Sequence, residues 1–159
     1  MDIRLRKALN SDISFLMSLR KLTMQQYLEA AGMPTSDEAH LTRINYKFDC
    51  AEIITVSDIP VGLFKAEFIE DQNQWYLVQL QVHPDYQNRG IGYTVLERLL
   101  SSASESASRI RLSVIKTNPA RDLYIRLGFE VVEQSDCEYI MENNSLLNNI
   151  AESKVKNTA

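Results

Sequence analysis

Val82-His83-Pro84-Asp85-Tyr86-Gln87-Asn88-Arg89-Gly90-Ile91-Gly92 holds two of the chain's five glycines and joins two segments of different period. Before it, Trp75-Tyr76-Leu77-Val78-Gln79-Leu80-Gln81-Val82 is rich in aromatic and branched residues and stops short of a proline, the pattern of a strand. After it, Ile91, Val95, Leu99 and Ala103 form an i,i+4 row with Leu96 and Leu100 beside it, which predicts an amphipathic helix. The unit reads as strand, polar turn, glycines, long helix. Glycines at a helix start let a ligand approach bare backbone, and the amides of the first turn have no partner inside the helix. With the positive end of the helix dipole they predict an anion site suited to phosphate or pyrophosphate.

Two familiar phosphate loops do not fit. The Rossmann fingerprint wants a third glycine where Val95 stands, and it wants its glycines directly after the strand, where His83 to Arg89 intervene. A P-loop wants Gly-Lys-Ser/Thr, and Gly92 is followed by Tyr93-Thr94. A second stretch has its own grammar. Arg111 to Lys116 alternates like a strand, and Thr117-Asn118-Pro119 turns with a proline opening a helix. Ala120 to Leu127 is one short helix, stopped by Gly128 before Phe129 begins another strand.

The first segment resembles motif A of the GNAT acetyltransferases, Gln/Arg-x-x-Gly-x-Gly/Ala, carried here by Gln87, Gly90 and Gly92 behind Leu80-x-Val82-x-Pro84. The second, Asn118-Pro119-Ala120-Arg121-x-x-Tyr124-x-x-Leu127-Gly128-Phe129, resembles motif B of the same superfamily. Both occur in the family's order and separation.

The rest of the chain is read in the same way. Ile3–Lys7 is a first strand, and Asn10-Ser11-Asp12 caps a helix running to about Ala31. Gly32-Met33-Pro34 breaks it, and Ser36-Asp37-Glu38 caps a second helix carrying Leu41, Ile44 and Phe48. Ile53–Val56 and Val61–Ile69 form a hairpin around Ser57-Asp58-Ile59-Pro60, with Gly62 at a bulge or close backbone approach. Phe129–Glu133 and Cys137–Met141 are the last strands. The order β-α-α-β-β-β-α-β-α-β-β matches the fold that the resemblance implies: α+β, an α/β/α three-layer arrangement with a mixed, mostly antiparallel central sheet. The expected boundaries are one GNAT domain over residues 1–142 and a polar C-terminal tail over 143–159, with Leu146, Leu147 and Ile150 as its few apolar positions.

Composition agrees with an ordinary globular chain. It has 159 residues, 45% of them hydrophobic and 24% charged, enough for one domain with a full core. No apolar run reaches membrane-spanning length, and the opening residues lack the apolar centre of a signal peptide, so the expected location is the cytoplasm without membrane association. A net charge of −4 and the lack of a basic stripe argue against nucleic acid as a partner. Cys50 and Cys137 have no metal-ligand spacing and are expected as free buried thiols; no metal is expected.

The resemblance implies a function: transfer of acetyl from acetyl-CoA to a primary amine, on a small molecule or a protein, by direct attack in a ternary complex. It implies that backbone N–H groups of Gln87, Asn88, Arg89, Gly90, Ile91 and Gly92, with Tyr93 or Thr94, cradle the pyrophosphate. The main chain of Leu80, Gln81 and Val82 would pair with the pantetheine arm, and an amide near Leu80 would polarise the thioester carbonyl. Asn118 would bind CoA, and Tyr124 would protonate the leaving thiolate; their plainer readings are a turn cap and core filler. Many relatives put a glutamate on the central strand as general base, where this chain has Gln79 and Gln81. Glu67 is the nearest carboxylate, with Glu70, His83 or a water chain as alternatives. Family habit allows a homodimer. The competing readings are an acyl-CoA-binding or regulatory domain without turnover, and a transferase for another acyl-CoA.

Overall fold

A computed structural model of the chain describes residues 1–144, so the tail expected over 143–159 falls outside the described residues from 145 onward. The strands are β1 Ile3–Lys7, β2 Ala51–Val56, β3 Ile59–Ile69, β4 Gln74–Val82, β5 Arg109–Ile115, β6 Glu130–Gln134 and β7 Glu138–Asn144. The helices are α1 Ile13–Ala30, α2 Asp37–Asn45, α3 Ile91–Glu105 and α4 Ala120–Arg126. The described strands form one sheet in the order β1-β2-β3-β4-β5-β7-β6. β4 and β5 run parallel, joined through α3, while β1–β2, β2–β3, β5–β7 and β6–β7 are antiparallel. The mixed, mostly antiparallel α+β arrangement expected from the sequence is the one found.

Among the described residues two compact units share the chain, one of residues 1–67 and 78–94, the other of 68–77 and 95–144. In the first, Leu16 and Leu19 of α1 and Ile44 of α2 pack with Ala51, Ile53 and Leu63 of β2 and β3 in one buried cluster. Ser36 Oγ accepts the Ala39 amide at 3.1 Å and caps α2, as the Ser-Asp-Glu run foretells. That helix ends at Asn45, so Phe48 is not on it but opens a short 3-10 turn over Phe48–Cys50. Asp12 accepts two hydrogen bonds of 2.9 Å from Arg6 and one of 2.8 Å from the Leu9 amide, tying β1 to the start of α1.

The β2–β3 hairpin is tighter than its sequence suggested. Ser57 and Asp58 both have positive φ, 49° and 69°, which makes a two-residue turn and returns Ile59 and Pro60 to the strand. The register slips between Ile54 and Thr55, opposite Gly62 and Pro60. A Cβ on Gly62 would collide with the Gln81 carbonyl oxygen, closer than real Cβ atoms come. Both the bulge and the close approach expected at Gly62 are present.

In the second unit β4 pairs with β5 over Gln74–Leu77 against Arg109–Leu112, and this ladder ends there. Asn73, at φ 46°, turns the chain into β4 and donates from Nδ2 to Ala107 O at 3.1 Å. Gly128, at φ 91°, ends α4, and the Phe129 amide reaches back to Tyr124 O at 3.0 Å. β7 runs to Asn144, two residues beyond the expected domain boundary. The thiols of Cys50 and Cys137 are unbridged but half-buried, more exposed than the expected core positions.

Candidate active site

The turn from His83 to Thr94 is built by local chemistry. The His83 amide donates to Val61 O at 2.7 Å, while its Nδ1 accepts the Asp85 amide at 3.1 Å and caps a 3-10 turn over Pro84–Tyr86. Gln87 Nε2 reaches back to Val82 O at 2.8 Å and locks the turn to the end of β4. Asn88 and Gly90 adopt left-handed φ values of 63° and 81°. Left-handed residues in such a turn aim main-chain N–H groups into an anion-binding concavity.

The Thr94 amide makes the bond to Gly90 O at 3.0 Å, and Thr94 Oγ1 adds a second contact to it at 2.9 Å. The amides of Ile91 and Gly92 therefore precede the first helical bond and have no acceptor within α3. A Cβ on Gly90 would meet nothing within 4 Å, so open space lies beside this backbone. Arg89 and Tyr93 are exposed, and the Arg89 guanidinium lies 5.3 Å from the centre of the Tyr86 ring. Ile91 is buried as the first rung of the apolar face of α3. The turn fits a pyrophosphate group held mainly by main chain.

β4 has two inequivalent edges. The bond from His83 to Val61, and the approach of Gly62 to Gln81 O, put the main chain of Gln81 toward β3. Neighbouring residues of a strand point their N–H and C=O to opposite edges, so Val78, Leu80 and Val82 face the other way. Their carbonyls behave accordingly: Val78 O accepts Arg43 Nη2 at 3.3 Å, and Val82 O is held by Gln87. Of the three residues expected to pair with a ligand through their main chain, Leu80 keeps both groups for that edge, and Gln81 serves β3 instead.

The Acetyltransferase (GNAT) domain model matches residues 36–140. The chain belongs to the GNAT acetyltransferase family. No curated protein matches it. Among solved structures it resembles PaiA N-acetyltransferase from Thermoplasma acidophilum in complex with coenzyme A, at 20% identity and TM-score 0.70, covering 91% of this chain and 99% of that one. An acetyltransferase from Thermus thermophilus aligns at 20% identity and TM-score 0.72, covering 90% and 97%. The ribosomal-protein-S18-alanine N-acetyltransferase of Escherichia coli aligns at 18% identity and TM-score 0.65, covering 89% and 92%.

The remaining side chains expected in this GNAT acyltransferase are placed as follows. Tyr124 of α4 is 6% exposed, with its ring centre 5.8 Å from that of Phe129. Burial pushes its phenol well above the usual tyrosine range, so the hydroxyl keeps its proton at neutral pH. Asn118 Oδ1 accepts the Ala120 amide at 3.0 Å, the turn-capping contact that its sequence position before Pro119 allowed. Glu67 is ion-paired with Lys47 at 3.1 Å. Gln79 and Gln81 are each 6% exposed, and neither atom of the Gln79 amide has a partner among the described residues.

Sequence reading missed Arg20, His40, Arg43 and Lys65. Each sits singly among helical or strand residues, and no motif or spacing links them. The one available signal was Lys65, a charge directly after the apolar run from Val61 to Phe64 and within the same strand.

Proposed function

We propose that the chain transfers an acetyl group from acetyl-CoA to a primary amine by direct attack in a ternary complex. The observation that carries this reading is the Gln87–Thr94 turn, whose left-handed Asn88 and Gly90 lead directly into the start of α3 and suit a pyrophosphate. In this proposal the Leu80 main chain, on the edge of β4 away from β3, pairs with the pantetheine arm. Its amide polarises the thioester carbonyl. The neutral amine nitrogen attacks that carbon, the C–S bond breaks, the departing thiolate takes the Tyr124 hydroxyl proton, and the proton shed by the acylated nitrogen restores the phenol. Burial keeps the phenol protonated, so a proton is there to give, and it also makes Tyr124 a weaker acid than an exposed tyrosine.

The amine must first lose a proton. Glu67 is a carboxylate for that step only if Lys47 releases it, and a water is the other acceptor. Glu67→Gln lowers turnover most at low pH if Glu67 takes the proton and leaves acetyl-CoA binding intact; an unchanged pH–rate profile assigns the step to water. A second reading, acyl-CoA binding without turnover, draws on Gln79 and Gln81, which put amides where many relatives have a carboxylate. Calorimetry with acetyl-CoA tests the shared binding step, and thiol release with a panel of amines separates the two. A folded protein without affinity for acetyl-CoA overturns both. The compartment that this reading implies is the cytoplasm.

A further inference from the structure

The face of β3 and β4 beneath α1 and α2 holds charge as well as core. Lys65 is 0% exposed and donates from Nζ to the carbonyls of Arg43, Ile44 and Tyr46 at 3.2, 2.9 and 2.6 Å, closing the end of α2. Arg20 of α1 is 8% exposed and donates from Nε to His40 Nδ1 at 3.0 Å. That bond makes Nδ1 an acceptor, so the proton of the neutral ring lies on Nε2, which meets Gln25 Oε1 at 2.8 Å. Arg43 of α2 reaches Val78 O and lies over the Tyr46 ring, 5.1 Å from its centre.

Three cations thus share one interior region, and among the described residues no carboxylate is paired with any of them. Glu67 is held by Lys47 and Asp37 by Lys21. Neither Nη of Arg20 has a protein partner among the described residues. Mutual repulsion and burial lower the affinity of Lys65 and Arg20 for their protons, to pKa values of about 8 and about 10, with burial the larger cause. Buried charge without a counter-charge is costly, so a ligand bringing a negative group to this region would relieve that cost.

A second observation points the same way. Counting along both strands from the His83–Val61 bond puts Gln79 opposite Lys65, on the same face of the sheet. Gln79 is more than nine-tenths buried, and its amide offers a donor and an acceptor that no described residue takes. Arg43 marks the same stretch of β4 from the edge that Leu80 shares. Val78 and Leu80 are two residues apart, roughly 7 Å along the strand.

We infer that this face is the acceptor subsite, and that it selects an amine carrying a carboxylate, held by the Arg20 and Arg43 guanidiniums with the Gln79 amide beside them. The inference rests on the acyl-transfer reading and deepens it. The short span between Arg43 and Leu80 fits an amino acid, whose nitrogen and carboxylate are a few bonds apart. The same cations repel a polyamine.

The test uses matched probes on the full chain: L-alanine, β-alanine and L-glutamate against their amides, with spermidine as the polyamine. Acids should exceed amides at least tenfold in kcat/KM, and spermidine should be the poorest. Arg43→Gln, at a half-buried position, should bring acid and amide within about twofold while acetyl-CoA affinity stays unchanged. Calorimetry of the same probes against CoA-saturated protein gives an independent readout, in which at least one acid binds and its amide does not. Equal use of acid and amide, preference for spermidine, no acid binding, or a preference that survives Arg43→Gln overturns the inference. Loss of acetyl-CoA binding in the unaltered protein would instead strike the acyl-transfer reading, and carboxylate binding to the CoA-free protein would then decide the subsite alone.

Discussion

The Gln87–Thr94 turn and the cationic face under α1 and α2 both favour negative charge, and they do so with opposite materials. The turn uses main-chain amides, two left-handed residues and the start of a helix, and its neighbouring side chains are largely exposed. The cationic face uses side chains, the buried Arg20 and Lys65 and the half-buried Arg43, drawn from two helices and a strand. A main-chain site tolerates many side chains but few added Cβ atoms. A side-chain site is the reverse: one lost guanidinium changes it, and its backbone is ordinary.

Four substitutions test that contrast, and the largest expected effect belongs to a residue of neither region. Tyr124→Phe keeps the ring and its packing against Phe129 and removes only the hydroxyl proposed as proton donor. Turnover should fall roughly 10²- to 10⁴-fold, with acetyl-CoA and carboxylate binding unchanged. Near-normal turnover would return Tyr124 to the core and leave both binding regions as they are.

Gly92→Val comes next. Added bulk in the first turn of α3 should weaken acetyl-CoA at least tenfold, about 1.4 kcal/mol, while carboxylate binding holds. If calorimetry shows both ligands weakened together in a folded variant, the two regions are not separable and the contrast fails.

Lys65→Met probes what a buried cation does for the fold. Removing the donor from three carbonyls should cost ~1–3 kcal/mol by denaturant titration. The wild type should also carry a pH signature that the variant lacks. Its folded-state pKa of about 8 lies below the ordinary 10.5, so between those values the unfolded chain binds more protons. Wild-type stability relative to the variant should therefore rise with pH across that window, and fall as pH drops through about 8. A difference that does not change with pH would mean that Lys65 is less buried in charge terms than its contacts indicate.

Asp12→Asn is the smallest. The hydrogen bonds from Arg6 hold the Asp12 carboxyl below its usual value, so its contribution is present above about pH 4 and lost as pH falls further. The variant should lose ~1 kcal/mol at neutral pH, with the gap closing in acid, and neither ligand's affinity should move. A ligand effect here would show that the start of α1 is coupled to the cationic face.

Much of the fold was legible because its signals are local. The apolar row from Ile91 to Ala103, the proline after Val82, and the glycines at 90 and 128 are statements about a few consecutive residues, and each was met in the structure. Element ends were less legible. Nothing in Leu41-Thr42-Arg43-Ile44-Asn45-Tyr46 says that α2 stops before Phe48; the carbonyls at its end are taken by Lys65, which is far away in sequence on β3. The hairpin turn was placed two residues too wide, since Pro60 reads as a breaker and yet sits in β3 opposite Thr55, beside a bulge.

By itself the sequence determined the family, the order of strands and helices, and the main-chain turn at Gln87–Thr94. Glycine positions and apolar periods act through short-range sterics and helix geometry, which need no tertiary context. Only the tertiary structure decided which main-chain groups of β4 face away from β3, that Glu67 is tied to Lys47, and that Arg20, Arg43 and Lys65 meet. Those depend on register and on residues far apart in the chain. Coulomb interaction and burial act through distance in space, and no spacing along the sequence encodes it.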